Sequence, residues 1–135
     1  LREAESRLGA FPHELSGGMR QRVGLARLLA TGAGCWLLDE PFSAVDERTR
    51  YRLQDLVLEL RAARPLTVLL VTHGLDEAVY LGSRVHVMSA GPGRIANVLD
   101  IAGDKPHDRL DPEYGRQVEE VRRGIERELL WPCHS

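Results

Sequence analysis

Two short apolar runs on either side of a helical segment are the feature that most constrains the fold of this chain. Residues 35–38 and 66–71 are almost wholly apolar, which is typical of strands buried on both faces of a parallel sheet. Between them, residues 47–63 carry an apolar face at helical spacing, made of Leu53, Leu56, Val57 and Leu60. A strand, a helix and a second buried strand predict a doubly wound α/β sheet, in which ligands bind beyond the carboxyl ends of the strands.

The middle of the chain continues to alternate between helical and extended patterns. Residues 75–81 predict a short helix that Gly82 ends. Residues 84–89 alternate like a strand with one exposed face, and a turn at residues 91–93 leads to a strand-like run over residues 94–100.

A polar, loop-like segment over residues 103–110 is interpreted as a linker to a last helix. Asp111 is the expected cap of that helix and Pro112 its first residue. Its apolar face is predicted to consist of Tyr114, Val118, Val121, Ile125 and Leu129. We expect this helix to pack on the domain; a regulatory role and a dimer contact are the alternatives.

Composition limits the classes of function. The chain has 135 residues, 43% of them hydrophobic, which predicts one domain with a sizeable core. A net charge of −2 provides no basic footprint for nucleic acid or a membrane surface. Cys35 and Cys133 lack metal-ligand spacing, His134 is interpreted as tail, and sparing use of cysteine favours a reducing compartment.

Neither a signal peptide nor an apolar run of roughly 18 residues is visible, which predicts a cytosolic or peripheral protein. The chain starts at Leu1 within a charged, helical-looking stretch, which we interpret as a cut.

Residues 15–27 run from a small, flexible turn directly into a helix. Ser16, Gly17 and Gly18 carry no bulky side chain, so their backbone N–H groups can approach a ligand closely. The first amides of a helix have no partner within it and its dipole is positive there, so phosphate is the expected occupant. The apolar face of this helix is predicted to consist of Met19, Val23, Ala26 and Ala30. The alternative is a Gly-Gly turn before an ordinary surface helix.

Polar residues end both predicted buried strands. Asp39 and Glu40 follow the first, and His73 follows the second. An aspartate at a strand tip can hold Mg²⁺, usually through water, and an adjacent acid can polarise an attacking water. The histidine could donate a hydrogen bond to a γ-phosphate. Solvated acids and a structural histidine are the alternatives, and Asp46 could simply cap the following helix.

Taken in order, these segments resemble the ATPases of ATP-binding cassette (ABC) transporters. Residues 15–18, Leu-Ser-Gly-Gly, match the signature motif, and residues 36–41, Trp-Leu-Leu-Asp-Glu-Pro, match Walker B with its following glutamate. Residues 43–46 look like the D-loop, and residues 71–73 look like the switch-histidine loop. The four motifs stand in the order that the family has.

The resemblance implies a P-loop NTPase-type (RecA-like) parallel sheet, present in part, with the signature helix of the ABC α-helical subdomain at the N-terminal end. It also implies two cassettes paired head to tail around two ATP molecules. The implied site residues are Glu40 and His73 as catalytic, Asp39 as the Mg²⁺ residue, Leu15, Ser16, Gly17 and Gly18 as contacts to the ATP of the second subunit, and Ser43 and Asp46 in the D-loop.

Three further segments look most like the branch of the family that imports nitrate, sulfonates and taurine; they are residues 11–22, 76–81 and 89–95. This implies an ATP-hydrolysing subunit that powers uptake of a small oxyanion at the cytoplasmic face of the membrane. The implied partners are a second ABC ATPase subunit, transmembrane permease subunits and, indirectly, a substrate-binding protein, with no nucleic acid.

The chain also departs from the family. Its one lysine, Lys105, lacks the glycine spacing of a P-loop, so residues 1–135 are interpreted as the C-terminal part of one ABC ATPase domain, without Walker A, aromatic loop or Q-loop, and inactive alone. Gly74 stands where the family usually has Asp, and Val45 where Leu is commoner. A truncated cassette that acts only as an interaction module, or a non-transport ABC ATPase, is the alternative.

Overall fold

The computed structural model describes residues 9–89 and 93–130, and its elements follow the predicted order. A 3₁₀ turn at Pro12–Glu14 precedes the first helix. The helices are α1 (Gly17–Thr31), α2 (Glu47–Ala63), α3 (Leu75–Leu81) and α4 (Pro112–Leu130). The strands are β1 (Cys35–Asp39), β2 (Thr67–Val71), β3 (Arg84–Met88) and β4 (Ile95–Asp100). Part of the predicted turn at residues 91–93, and the tail with Cys133 and His134, lie outside the described residues.

The predicted strand–helix–strand unit is confirmed as a parallel pair. Cys35 of β1 lies opposite Thr67 of β2, and Asp39 lies opposite Val71. α2 connects the two strands, as parallel neighbours require. β3 and β4 form a separate antiparallel pair with a bulge between Val87 and Met88. Within the described residues the parallel sheet therefore has two strands and is partial.

The core lies on one face of the parallel sheet. Trp36 and Leu38 of β1 are buried, in one cluster with Leu25 of α1 and Val57 of α2. The prediction that β1 and β2 are buried on both faces is wrong for the described structure, because the alternate face is exposed. Leu37 of β1 keeps 71% of its surface accessible. Side chains along a strand alternate between faces, and the core cluster packs on one of them only.

The predicted apolar face of α1 is also wrong in part. Met19 is half-buried, but Val23, Ala26 and Ala30 are exposed. The helix instead buries Leu25, and it packs the neighbouring Leu28 and Leu29 partly against the core. Leucine buries more apolar surface than alanine, so the leucine-rich side of the helix faces inward.

The segment over residues 103–110 is anchored to the domain and is not a free linker. The Lys105 Nζ donates to the carbonyl oxygen of Val79 at 2.6 Å. The guanidinium of Arg109 lies 4.1 Å from the ring centroid of Tyr51 and 3.5 Å from that of Tyr80. Cation–π contacts and a helix-end carbonyl thus tie this polar segment to α2 and α3.

The predicted face of α4 packs against the domain. Tyr114 and Val121 are buried, and Val118 and Ile125 are partly buried against the same core. The side chain of Leu129, predicted on that face, lies outside the described part.

The start of α4 is as predicted, because the Asp111 carboxylate accepts the N–H of Glu113 at 2.8 Å. Among the helices in residues 9–89 and 93–130, none combines the length and apolar character needed to cross a membrane.

Candidate functional site

The carboxyl ends of β1 and β2 bring three predicted site residues to one edge of the parallel sheet. Asp39 and Val71 are paired at this edge, each as the last residue of its strand. The N–H of Glu40 extends the pairing by donating to the Val71 carbonyl oxygen at 2.9 Å. His73 follows two residues after Val71, so Asp39, Glu40 and His73 share this edge. The chemical roles of the three remain predictions.

Glu40 and His73 contact each other directly. The Glu40 Oε1 accepts the main-chain N–H of His73 at 2.9 Å and lies 2.8 Å from its Nδ1. The backbone of Glu40 has a φ of 45°, in the left-handed region that residues with a Cβ rarely adopt. This conformation turns the chain sharply after β1. In it, the Glu40 carboxylate faces the loop that follows β2.

The Glu40–His73 pair is open to solvent on its outer side. The His73 side chain is 82% exposed and that of Glu40 is 34% exposed. Both hydrogen bonds to His73 use the same oxygen, Oε1, so Oε2 has no hydrogen-bond partner in the described part of the chain. A half-exposed carboxylate with one free oxygen can accept a proton from water. An imidazolium, which carries a proton on each ring nitrogen, can donate to an anion while its Nδ1 donates to Glu40.

Asp39 is an exposed carboxylate at the tip of β1. Its side chain makes no hydrogen bond or ion pair with other described residues. Mg²⁺ binds commonly through one or two carboxylates with water and phosphate oxygens as the other ligands. The environment of Asp39 fits this mode. Among the residues that the structure describes, no three or more histidine, cysteine, aspartate or glutamate side chains are placed so that they alone could hold a metal ion.

The predicted signature turn is built as a capped helix start. Ser16 is the N-cap of α1, and its Oγ accepts the N–H of Met19 at 3.3 Å. The amides of Gly17 and Gly18 precede Met19 and have no acceptor within the described residues. Leu15 stands half-buried just before the cap. Two open amides and a hydroxyl with a free proton therefore lie at the positive end of the α1 dipole.

The two glycines of this turn also allow a close approach within the chain. A Cβ at Gly17 would lie 3.1 Å from the Ala44 Cβ. A Cβ at Gly18 would lie 3.2 Å from the Ala44 carbonyl oxygen and 3.2 Å from the Val45 Cγ1. Glycine at these two positions therefore avoids tight contacts with residues 44–45, in addition to allowing the approach of a ligand.

The predicted D-loop residues both have structural contacts. The Ser43 Oγ donates to the Glu40 carbonyl oxygen at 3.0 Å. Asp46 is the N-cap of α2 and accepts the N–H of Thr49 at 3.0 Å, as its alternative interpretation predicted. Hydrogen bonds from Thr49 lower the pKa of Asp46, so its negative charge is maintained at the helix start.

Gln21 belongs to this site and was missed by the sequence analysis. Its amide contacts the Glu40 carbonyl oxygen, the Ser43 Oγ and the Ala44 N–H. The sequence feature that could have identified Gln21 is a polar residue on the side of α1 that faces the domain. That side could be recognised only once the packing of α1 was known.

Gly74 stands against a buried acid, which bears on the departure from the family noted above. A Cβ at this position would lie 3.2 Å from the Glu77 Cγ. Glu77 is 7% exposed, accepts the Thr72 hydroxyl at 2.7 Å and lies 3.7 Å from the Arg50 Nε. A side chain at residue 74 would require this group to shift.

Comparison with known proteins gives matches that agree with this geometry. The family model described as ABC transporter matches residues 1–43. The aliphatic sulfonates import ATP-binding protein of Pseudomonas syringae is 53% identical over 107 residues, which are 79% of this chain and 45% of the relative. The taurine import ATP-binding protein of Rhizobium johnstonii is 43% identical over 122 residues, which are 84% of this chain and 47% of the relative. The chain thus spans less than half the length of these relatives.

A solved structure agrees as well. It is a dimeric ATP-binding cassette in a post-hydrolysis state, bound to ADP and Pi. It matches with a TM-score of 0.61 and 32% identity over 69% of this chain and 39% of that structure. The motifs, the parallel pair with its polar edge, and these relatives together show that the chain belongs to the family of ATP-binding cassette (ABC) transporter ATPases.

Proposed function

We propose that the chain is part of the ATP-hydrolysing subunit of an importer for a small oxyanion such as nitrate, a sulfonate or taurine. The observation that carries this proposal is the Glu40 carboxylate held against His73 beside Asp39, at the polar edge of the parallel pair. The import of aliphatic sulfonates and of taurine, for which two of the relatives are named, supports the substrate class.

Glu40, His73 and Asp39 each have a different role in the proposed reaction. Glu40 accepts a proton from the attacking water through the oxygen that His73 leaves free. His73 donates a hydrogen bond to the transferred phosphate from its Nε2 as an imidazolium, because its ring is exposed and its Nδ1 is held by Glu40. Asp39 would hold Mg²⁺, and the ion would supply positive charge against the phosphates.

The signature turn serves a different nucleotide. Ser16, Gly17 and Gly18 present two open amides and one hydroxyl to an ATP held by a second cassette subunit, with Leu15 beside them. The dimer bound to ADP and Pi supports a two-subunit arrangement. Permease subunits at the cytoplasmic face of the membrane, with a substrate-binding protein beyond them, complete the proposed assembly.

A chimera tests the proposal directly. This chain replaces the matched segment of the Pseudomonas syringae relative, and hydrolysis of Mg-ATP is measured with the Glu40→Gln variant beside it. General-base catalysis contributes about 10²–10⁴-fold, so Glu40→Gln should lower kcat by at least about 100-fold while ATP binding persists. Glu59→Gln, an exposed acid on α2, is the matched control and should leave kcat unchanged.

An active chimera that Glu40→Gln does not slow would overturn the role of Glu40. The 135-residue chain alone should not bind ATP tightly, since it has no P-loop lysine. A micromolar Kd for that chain in a calorimetric titration would contradict the division of the site between segments.

A further inference from the structure

The side-chain amide of Gln21 in α1 reaches across to the loop that follows β1. Its Nε2 donates to the Glu40 carbonyl oxygen at 3.3 Å and to the Ser43 Oγ at 3.2 Å. Its Oε1 accepts the N–H of Ala44 at 3.2 Å. This one side-chain amide therefore contacts residues 40, 43 and 44 of the loop. The loop begins at Glu40, the residue we propose as the general base.

The signature turn is packed on the same loop. Gly17 and Gly18 approach Ala44 and Val45 so closely that a Cβ at either glycine would fall within 3.2 Å of the loop. Gln21 lies one helical turn after Gly17 on the same side of α1. The turn, Gln21 and the loop over residues 40–45 are thus joined by packing and by hydrogen bonds.

A carboxamide is the side-chain group that makes both kinds of contact at once, because it carries a donor and an acceptor. At this side chain the Glu40 carbonyl oxygen accepts an N–H, and the Ala44 N–H finds an acceptor. A glutamate at residue 21 would retain the acceptor and lose the donor. A methionine of similar length would supply neither. The Ala44 N–H would then lose its acceptor, and the Glu40 carbonyl oxygen would keep only the donors of Ser43.

We propose that Gln21 is a positioning residue that couples the signature turn to the main chain of Glu40. The coupling rests on the function proposed above, in which the turn meets the second subunit's nucleotide and Glu40 acts on this subunit's own. When a nucleotide orders Ser16 to Gly18, Gln21 transmits the change to the Glu40 peptide, whose left-handed backbone aims the carboxylate. Hydrolysis in one site then responds to contact at the other.

Exchange of amide hydrogens in the 135-residue chain tests the structural step. Gln21→Met should raise the exchange rate of the Ala44 N–H by about tenfold, which corresponds to the loss of one hydrogen bond. Arg22→Met, at an exposed neighbour on α1, is the control and should leave that rate unchanged. Unchanged exchange at Ala44 in Gln21→Met would overturn the contact.

A second experiment tests whether a change at the signature turn reaches the Glu40–His73 pair through Gln21. It compares the effect of one substitution on an NMR chemical shift in two backgrounds, and a purely structural role of Gln21 would leave that effect the same in both. Ser16→Ala should shift the amide resonance of His73 in the parent chain but not in Gln21→Met. Equal shifts in both backgrounds would show that the signal does not pass through residue 21. If Gln21→Met does not fold, Gln21→Glu replaces it, since that variant retains the bond to Ala44.

The chimera separates this inference from the proposed function. Gln21→Met should lower kcat by about tenfold with the KM for ATP little changed, because the lost bond positions Glu40 and does not hold the nucleotide. If the chimera depends on Glu40 but not on Gln21, the coupling is wrong and the function stands. If hydrolysis does not depend on Glu40, the proposed function itself fails.

Discussion

Glu40 and His73 are joined through a single oxygen atom. The Glu40 Oε1 accepts the His73 N–H at 2.9 Å and lies 2.8 Å from the ring Nδ1. The contact links residues 33 positions apart, and it forms because β1 and β2 end together at Asp39 and Val71. The position of the carboxylate is therefore a consequence of the register of the parallel pair.

The left-handed backbone of Glu40 can be separated from its carboxylate by two substitutions. Glu40→Ala and Glu40→Gly both remove the contact with His73, but only alanine retains a Cβ at a φ of 45°. The left-handed conformation costs roughly 1–2 kcal/mol for a residue with a Cβ. Urea denaturation should therefore give Glu40→Gly a higher free energy of unfolding than Glu40→Ala by about 1 kcal/mol. Equal values would show that this backbone carries no strain.

Gly18 and Gly24 make a matched pair within α1. A Cβ at Gly18 would lie 3.2 Å from the Val45 Cγ1, whereas a Cβ at Gly24 would meet no atom of the described residues within 4 Å. Alanine in an exposed helix interior is more stable than glycine by roughly 0.5–1 kcal/mol. Gly24→Ala should thus stabilise the chain by that amount, and Gly18→Ala should destabilise it by about 1 kcal/mol or more. Thermal unfolding followed by circular dichroism measures both, and a stabilising Gly18→Ala would contradict the close packing on residue 45.

Arg109 should contribute more stability than its surface position suggests. Its guanidinium lies over the rings of both Tyr51 and Tyr80 and donates to the Gln54 Oε1 at 2.6 Å. Gln54 is 1% exposed, so Arg109→Ala leaves a buried oxygen without a donor. The lost cation–π contacts and the unpaired oxygen together cost about 2–4 kcal/mol. Chemical denaturation measures this loss. Arg122→Ala, which removes an exposed ion pair with Glu119, should cost less than about 0.5 kcal/mol.

Local sequence patterns were sufficient to locate the elements. The predicted helix over residues 47–63 coincides with α2, because a cap at Asp46 and a proline beyond the end limit where it can form. The predicted helix over residues 75–81 likewise coincides with α3, which Gly82 ends. Such signals are carried by neighbouring residues, so a single sequence contains them.

The side of each strand or helix that faces the core was harder to predict from the sequence. An unbroken apolar run such as residues 35–38 does not state whether one or both sides of the strand are covered, and here Leu37 is exposed while Leu38 is buried. In α1, alanine and valine form one apolar side and leucine forms another, and tertiary packing determines which of the two is buried. This choice depends on residues distant in the sequence, which the helical period cannot show.

The same distinction holds at the candidate site. Asp39, Glu40 and His73 could be placed together because strand ends share an edge in any parallel sheet. Gln21 could not, since its contacts join α1 to residues 19 to 23 positions away through a loop of irregular conformation. The positioning role that we propose for Gln21 rests on the relative placement of α1 and that loop.

Leu37 and Leu38 provide a direct test of the one-sided core. Leu38 is 5% exposed, so Leu38→Ala should lower the free energy of unfolding by about 2–5 kcal/mol through lost burial and a cavity. Leu37 is 71% exposed, and Leu37→Ala should change it by no more than about 0.5 kcal/mol. Urea denaturation of the 135-residue chain compares the two. A large loss for Leu37→Ala would show that its face of the sheet is covered in solution.

Lys105 gives the chain a specific dependence on pH. Burial, with a smaller effect from Arg61, lowers the pKa of Lys105 to about 8 from its ordinary 10.5. Between these values the unfolded chain holds a proton that the folded chain has released, so raising the pH favours the folded state. Stability from Lys105 should therefore rise between pH 8 and 10 by roughly 1 kcal/mol, which is less than full conversion of the lowered pKa because solvent screens a half-buried amine. The opposite trend begins above pH 10, where the unfolded chain loses tyrosine protons that Tyr80 and Tyr114 retain to a pKa of about 12.

Lys105→Met isolates the lysine from the tyrosines. The difference in unfolding free energy between the parent chain and Lys105→Met should grow in favour of the parent from pH 8 to pH 10, because only the parent gains from proton release. Lys105 is the single lysine of the chain, so the carbon NMR signal of its Cε also reports its titration without overlap from another lysine. A midpoint near 8 agrees with an amine held against the Val79 carbonyl oxygen. A midpoint near the ordinary 10.5, with parallel stability profiles, would show that the segment over residues 103–110 leaves Lys105 in water.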